Sequence, residues 1–267
     1  MEVINKPIII EDDEVCLYGI FRGIENPLRI IVLIPALTGT RIGPQRMFVE
    51  ICNYLRQEIG TMCFDLPYAG DSIDKRNKKF QNLRKDYNYY LSKIYDFLQH
   101  EYPKSEIIFI SISVGCMPIL EFSEKMRLNK VILLSPNHLS NATSVVNKRN
   151  IYAYFIKVFQ YKTWQKFFHL KLNFHKIFSN IFNINKKRKS HGVEIDKQIV
   201  NRGKVNLLCV FGENDPNLQE NQKFWILNKN QNRFTSYKNC IVSNSDHSFM
   251  GWDSKRELLV QISNWLN

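Results

Sequence analysis

The sequence has no Cys-x-x-Cys pair. Its six cysteines, Cys16, Cys52, Cys63, Cys116, Cys209 and Cys240, are scattered, mostly inside segments of strand or helix character. That spacing excludes a zinc ribbon and a disulfide framework, and predicts reduced core thiols in an intracellular protein. Long apolar runs are missing too. The longest, Leu28 to Leu37, is interrupted by Arg29 and is too short to span a bilayer. Residues Met1 to Glu14 are mixed, and acidic after Ile10, unlike a secretory leader. No His, Asp or Glu pair stands at ligand spacing in a convincing context, so neither a metal nor a cofactor is expected. Internal repeats and long linkers are also lacking. These absences predict a soluble cytoplasmic protein, with at most a peripheral contact at the inner face of a membrane.

Apolar content, by contrast, is ample: 44% of the 267 residues are hydrophobic and 13% aromatic, enough for a sizeable core. The net charge of +12 is concentrated in one place. From Asn147 to Lys204 there are 14 Lys and Arg against only Glu194 and Asp196, whereas the rest of the chain holds 23 basic and 23 acidic residues. Such asymmetry marks a segment with its own surface or partner.

In chain order, Pro7–Ile10 and Val15–Phe21, separated by four acidic residues, read as an antiparallel hairpin at a sheet edge. Pro27–Ile34 reads as a central strand, followed by a loop of small residues, 35–43. A helix is predicted from Pro44, with Phe48, Ile51, Cys52, Leu55 and Ile59 on one face, and Gly60 ends it. Strand 61–65, loop 66–72 and a helix from about Asn82 to His100 follow, the helix turning Leu83, Tyr87, Tyr90, Leu91, Ile94 and Leu98 inward. Next come a strand from Ile107, a helix over 116–126 and strand 130–134. This alternation predicts parallel strands with crossover helices. It stops at about Leu139 and resumes with strand 205–211, a helix to about Leu227 and strand 236–242. A last helix, Ser254–Leu266, is expected to bury Leu258, Leu259, Ile262, Trp265 and Leu266.

The chemistry is expected where loops leave the carboxyl ends of such strands. Ile107–Ile112 is apolar enough to be buried on both faces, and Ser111-Ile-Ser-Val-Gly115 turns it into a helix. A serine between small residues at a strand-to-helix turn has the layout of a nucleophile elbow, although a serine-rich strand end is the plainer reading. The elbow would lift the Ser113 hydroxyl above the sheet. A serine needs a base, and His247, alone of the six histidines, lies in the loop after the last strand; His138, after another core strand, is the runner-up. Asp215, in the loop after the preceding strand, could orient the imidazole, with Asp246 or Glu213 as substitutes. The plainer role for Asp215 is a turn residue before Pro216. The backbone N–H groups of Val114 and Leu37 are candidates to meet an oxyanion. Asp65 and Asp71 are expected to fix loops by hydrogen bonding.

Taken in order, Pro35-Ala-Leu-Thr-Gly39, Phe64-Asp-Leu-Pro-Tyr-Ala-Gly-Asp-Ser72, Ser111–Gly115, Gly212-Glu-Asn-Asp215 and Asp246-His-Ser-Phe249 resemble the successive motifs of the α/β-hydrolase superfamily. Arg41–Phe48, Ala69–Ser72 and the basic aromatic segment resemble, more narrowly, hydrolases that accompany exosortase and exopolysaccharide gene clusters. Pro35-Ala36 stands where that superfamily usually has His-Gly, and Ser111 where it usually has glycine. The resemblance implies an α/β-hydrolase fold, with a mostly parallel sheet, an N-terminal antiparallel hairpin and a helical cap. Residues 1–138 and 204–267 would form the core and 139–203 the cap. It also implies a serine hydrolase cleaving an ester, or a thioester or amide, through an acyl-enzyme. The alternatives are an acyltransferase using a glycan or lipid-linked acceptor, and a non-catalytic binding protein on the same fold. In the cap, Lys157, Lys162, Lys166, Lys171 and Lys176 alternate with aromatics. They either solvate an outer face or meet an anionic surface such as acidic lipid headgroups. Nucleic acid is not expected as a partner, since the basic segment carries no recognised reading motif.

Overall fold

The structure is a computed structural model and describes residues 3–36, 39–55, 59–67, 69–76, 83–137, 204–230 and 234–267. These residues fall in one compact unit, formed by Met1–His138 with Arg202–Asn267. The expected cap at 139–203, with its lysines and aromatics, lies outside the described residues, as does the runner-up His138.

Strand β1 (Ile4–Glu11) pairs antiparallel with β2 (Val15–Gly23). The turn between them is closed by Asp12, whose Oδ1 accepts the N–H groups of Glu14 and Val15 at 2.8 Å. Next come β3 (Arg29–Ile34), α1 (Met47–Leu55), β4 (Gly60–Phe64), β5 (Ile73–Asp74), α2 (Leu83–Glu101), β6 (Glu106–Ile112), α3 (Cys116–Met126) and β7 (Lys130–Leu134). After residue 203 the chain adds β8 (Asn206–Gly212), α4 (Leu218–Asn230), β9 (Ser236–Val242) and α5 (Trp252–Leu266). The sheet order is β1-β2-β4-β3-β6-β7-β8-β9, with β5 paired to β2. From β4 to β9 every neighbouring pair along this order is parallel, whereas β2 runs antiparallel to β1, β4 and β5.

The near-continuous apolar character of the central strands follows from burial on both faces. Along β3, Ile30, Val32 and Ile34 pack into the cluster that contains Tyr87 and Leu91 of α2, Ile119 of α3 and Trp225 of α4. The intervening Ile31 and Leu33 join Phe48 and Ile51 of α1 and Leu258 and Ile262 of α5 on the other face. Each fully buried side chain of this kind contributes about 1.5–3 kcal/mol relative to exposure. All six cysteines are buried without disulfides. Among the described residues no helix is long and apolar enough to cross a membrane.

Several expected boundaries shift. The first helix starts at Met47, because Pro44–Arg46 forms a 3₁₀ turn in which Gln45 (φ 53°) and Arg46 (φ 63°) take left-handed backbone. Ile59 is buried as expected, and its N–H bonds the Leu55 carbonyl at 3.2 Å. The last helix begins earlier, at Trp252, and its Leu259 and Trp265 are only half-buried. Strand β5 had no counterpart in the pattern, since two residues are too few to show alternation.

Candidate functional site

The parallel strands bring the loops after β3, β4, β6, β7, β8 and β9 to one edge of the sheet. After β6 the backbone passes from extended at Ile112 (φ −125°, ψ 145°) to left-handed at Ser113 (φ 56°), and α3 starts at Cys116. A non-glycine residue in this region is strained by contact between its Cβ and the backbone, and such residues concentrate at functional sites. The strain turns Ser113 out of the strand direction and leaves it half-buried at the strand exit.

The turn is tight enough to dictate its neighbours. A Cβ on Gly115 would stand 2.5 Å from Ser111 Oγ, 2.8 Å from the Tyr87 phenolic oxygen and 3.2 Å from the Pro35 carbonyl oxygen. Glycine is therefore required there, and Ser111 occupies part of the room its missing side chain leaves.

His247 reaches Ser113 from the loop after β9. Its Nε2 lies 2.9 Å from Ser113 Oγ, and its Nδ1 lies 2.6 Å from Asp215 Oδ2. The Asp215 side chain is fully buried, and that of His247 is 29% exposed. Burial opposes ionisation of Asp215, but hydrogen bonds from His247 and from the Asn217 N–H (2.9 Å) outweigh it and hold the carboxyl below its ordinary range. The second-choice acids are occupied elsewhere. Glu213 Oε2 accepts the Asn244 N–H at 2.8 Å, and Asp246 Oδ1 accepts the N–H groups of Ser248 (3.0 Å) and Met250 (2.9 Å). Both carboxylates thus shape the loops that deliver Asp215 and His247. The structure brings Ser113, His247 and Asp215 together, with Val114 next to Ser113 in the same turn. Leu37 lies outside the described residues.

The loop after β3 is held by partners far away in sequence. Its Pro35 carbonyl accepts a hydrogen bond from the Tyr87 hydroxyl at 2.7 Å. Gly39 N–H turns back to Ala36 O at 2.7 Å, and Gly43 N–H to Thr40 O at 2.8 Å. Asp65, fully buried at the end of β4, accepts the Arg41 N–H at 2.6 Å and the Arg41 guanidinium, which also meets Asp71 at 2.7 Å. Burial would lower the affinity of Arg41 for its proton, but Asp71 and Asp65 outweigh it and raise that affinity. Asp65 also accepts the Asp71 N–H at 3.0 Å, and Gly70 (φ 84°) has no room for a side chain against the Asp65 carboxylate. Asp65 and Asp71 thus fix loops, as expected; their partner Arg41 and the Tyr87 anchor carry no local sequence signal. Among the described residues no three His, Cys, Asp or Glu side chains gather as metal ligands.

No known protein-family signature and no curated protein sequence matches this chain. Solved structures do. An esterase from Pyrococcus furiosus matches with a TM-score of 0.65 at 17% identity, over 99% of this chain and 90% of its own. A dienelactone hydrolase from Anabaena variabilis matches with a TM-score of 0.61 at 11% identity, over 99% and 97%. A predicted CIB-like hydrolase from Thermoplasma acidophilum matches with a TM-score of 0.59 at 10% identity, over 99% of both chains. With its mostly parallel sheet, N-terminal antiparallel hairpin and flanking helices, the chain has the α/β-hydrolase fold.

Proposed function

We propose that this chain is a serine hydrolase that cleaves an ester through an acyl-enzyme. The observation that carries the reading is the continuous hydrogen-bonded line from Ser113 Oγ through the His247 ring to Asp215, at 2.9 and 2.6 Å. Those lengths suit proton transfer between the serine and the imidazole. In the reaction, Ser113 Oγ attacks the substrate carbonyl carbon as its proton passes to His247 Nε2. Asp215 accepts the Nδ1–H, which fixes the tautomer and stabilises the imidazolium. The oxyanion is met by the Val114 N–H, with the Leu37 N–H as its proposed partner. Collapse of the tetrahedral intermediate breaks the carbonyl–oxygen bond, and His247 hands its proton to the departing alcohol. Water then attacks the acyl-Ser113 ester by the same route in reverse and releases the acid. The three hydrolases and esterases that share the fold support this class of reaction. The test is turnover of a short p-nitrophenyl ester by the wild type and by Ser113→Ala. Activity should vanish in a variant whose circular dichroism and melting temperature match the wild type. Equal turnover by the two would remove Ser113 from the chemistry.

A further inference from the structure

We propose that Tyr87 is a positioning residue for the reaction at Ser113: its hydroxyl locks the exit of β3 against the elbow and so fixes where the Ser113–Val114 turn stands relative to the β3 loop. The inference rests on the hydrolase reading given above.

The ladder between β3 and β6 ends at the pair Ile34 and Ser111. Beyond it β6 turns away into the elbow, and the Pro35 carbonyl lies one residue past the last paired residue of β3. Pro35 is buried, and a buried carbonyl left unpaired is costly. The Tyr87 hydroxyl supplies the partner, donating to Pro35 O at 2.7 Å from a ring that is 1% exposed. The same oxygen stands 2.8 Å from the point where a Cβ on Gly115 would sit, two residues past the serine. One phenol therefore touches both halves of the site, the β3 exit through a hydrogen bond and the elbow through packing. Tyr87 sits on α2, and Leu91 and Ile94, one and two turns on along the same face, are fully buried. Burial also pushes the phenol's pKa well above its ordinary range, which keeps the donor protonated at any working pH.

The loop lacks devices of its own at this point. Pro35 and Ala36 carry no polar side chain, and Pro35 has no N–H to donate. The hydrolase reading assigns this loop a backbone donor, so its placement depends on what it is tied to. Loss of the tie should act on the transition state more than on substrate binding, because small misplacements of oxyanion donors cost rate.

The test compares the wild type, Tyr87→Phe and Ser113→Ala in two assays below the melting temperature of each. One is hydrolysis of a p-nitrophenyl ester; the other is the rate and end point of Ser113 labelling by a fluorophosphonate. Tyr87→Phe should lower kcat about tenfold with KM within about twofold, and should slow labelling in proportion while still reaching full labelling. Loosened folding alone would lower the fraction labelled and the melting temperature without slowing the remainder, and that outcome overturns the proposal. Unchanged kcat and labelling rate in Tyr87→Phe overturn it equally. If the wild type itself is not labelled, the hydrolase reading falls, and the positioning role falls with it.

Discussion

The two flanks of the elbow are built differently. On one side the loops after β8 and β9 present reactive side chains, Asp215 and His247, and these two loops hold each other. Asn214 N–H bonds Ser245 O at 2.7 Å, Glu213 N–H bonds Val242 O at 3.0 Å, and the Glu213 and Asp246 carboxylates cap neighbouring N–H groups. On the other side the loop after β3 is proposed to act through its backbone, and its anchors come from α2 and from the end of β4. Two loops that leave neighbouring strands can brace one another directly. A loop proposed to work through peptide groups needs its path fixed, and here a phenol and the ion pairs around the buried Asp65 anchor it.

Breaking the reactive flank should have the largest effect. Ser113→Ala should lower kcat for a p-nitrophenyl ester by on the order of 10³ or more, equivalent to roughly 4 kcal/mol. Asp215→Asn should follow, lowering kcat by about 10² or more with little change in KM, because an amide leaves His247 in the wrong tautomer. Glu213→Gln and Asp246→Asn, which touch only loop N–H groups, should cost less than about tenfold. Steady-state kinetics on the four variants orders them; Asp246→Asn as the worst of the three acid variants would reassign the acid.

The supporting flank should answer in stability as well as in rate. Asp65 is fully buried and bonds two backbone N–H groups and a guanidinium. Asp65→Asn leaves the partly buried Arg41 with Asp71 alone, and should lower unfolding free energy by about 3 kcal/mol, read from the urea midpoint. A loss below about 0.5 kcal/mol would make this cluster a surface pair of the weak kind.

The smallest effect sharpens the comparison through pH. Asp215 has a carboxyl held below its ordinary range, so its ionised form favours the folded state. That contribution is fully present above the unfolded value of about 3.9 and is lost as pH falls through the lower folded value. The stability gap between wild type and Asp215→Asn should therefore be widest near neutrality and narrow below about pH 4. Denaturation midpoints from pH 3 to 7 measure it; a gap that widens in acid contradicts the sign.

The same asymmetry explains what could be read from the sequence. Ser113 stands between a buried strand and a glycine, while Asp215 and His247 each follow a strand, so local pattern and chain order were enough to nominate three residues that the fold brings within hydrogen-bonding distance. The alternation of strands and helices likewise outlined the sheet, because strands buried on both faces read as continuous apolar runs. Tyr87 read only as an inward residue of a helix, since its partner Pro35 lies 52 positions away. Arg41 and Asp65 are 24 positions apart, and charge alone does not reveal which arginine a buried aspartate holds. Strand β5 and the left-handed turn at Gln45 and Arg46 are too short or too irregular to carry periodicity.

The central claim is that Ser113 is the nucleophile of a relay running through His247. It is tested most directly by treating the folded wild-type protein with a fluorophosphonate and locating the adduct by peptide mass spectrometry. The result expected is a single adduct on Ser113, absent in Ser113→Ala and formed far more slowly in His247→Ala. An adduct on a different serine, or none on a well-folded wild type, would contradict it.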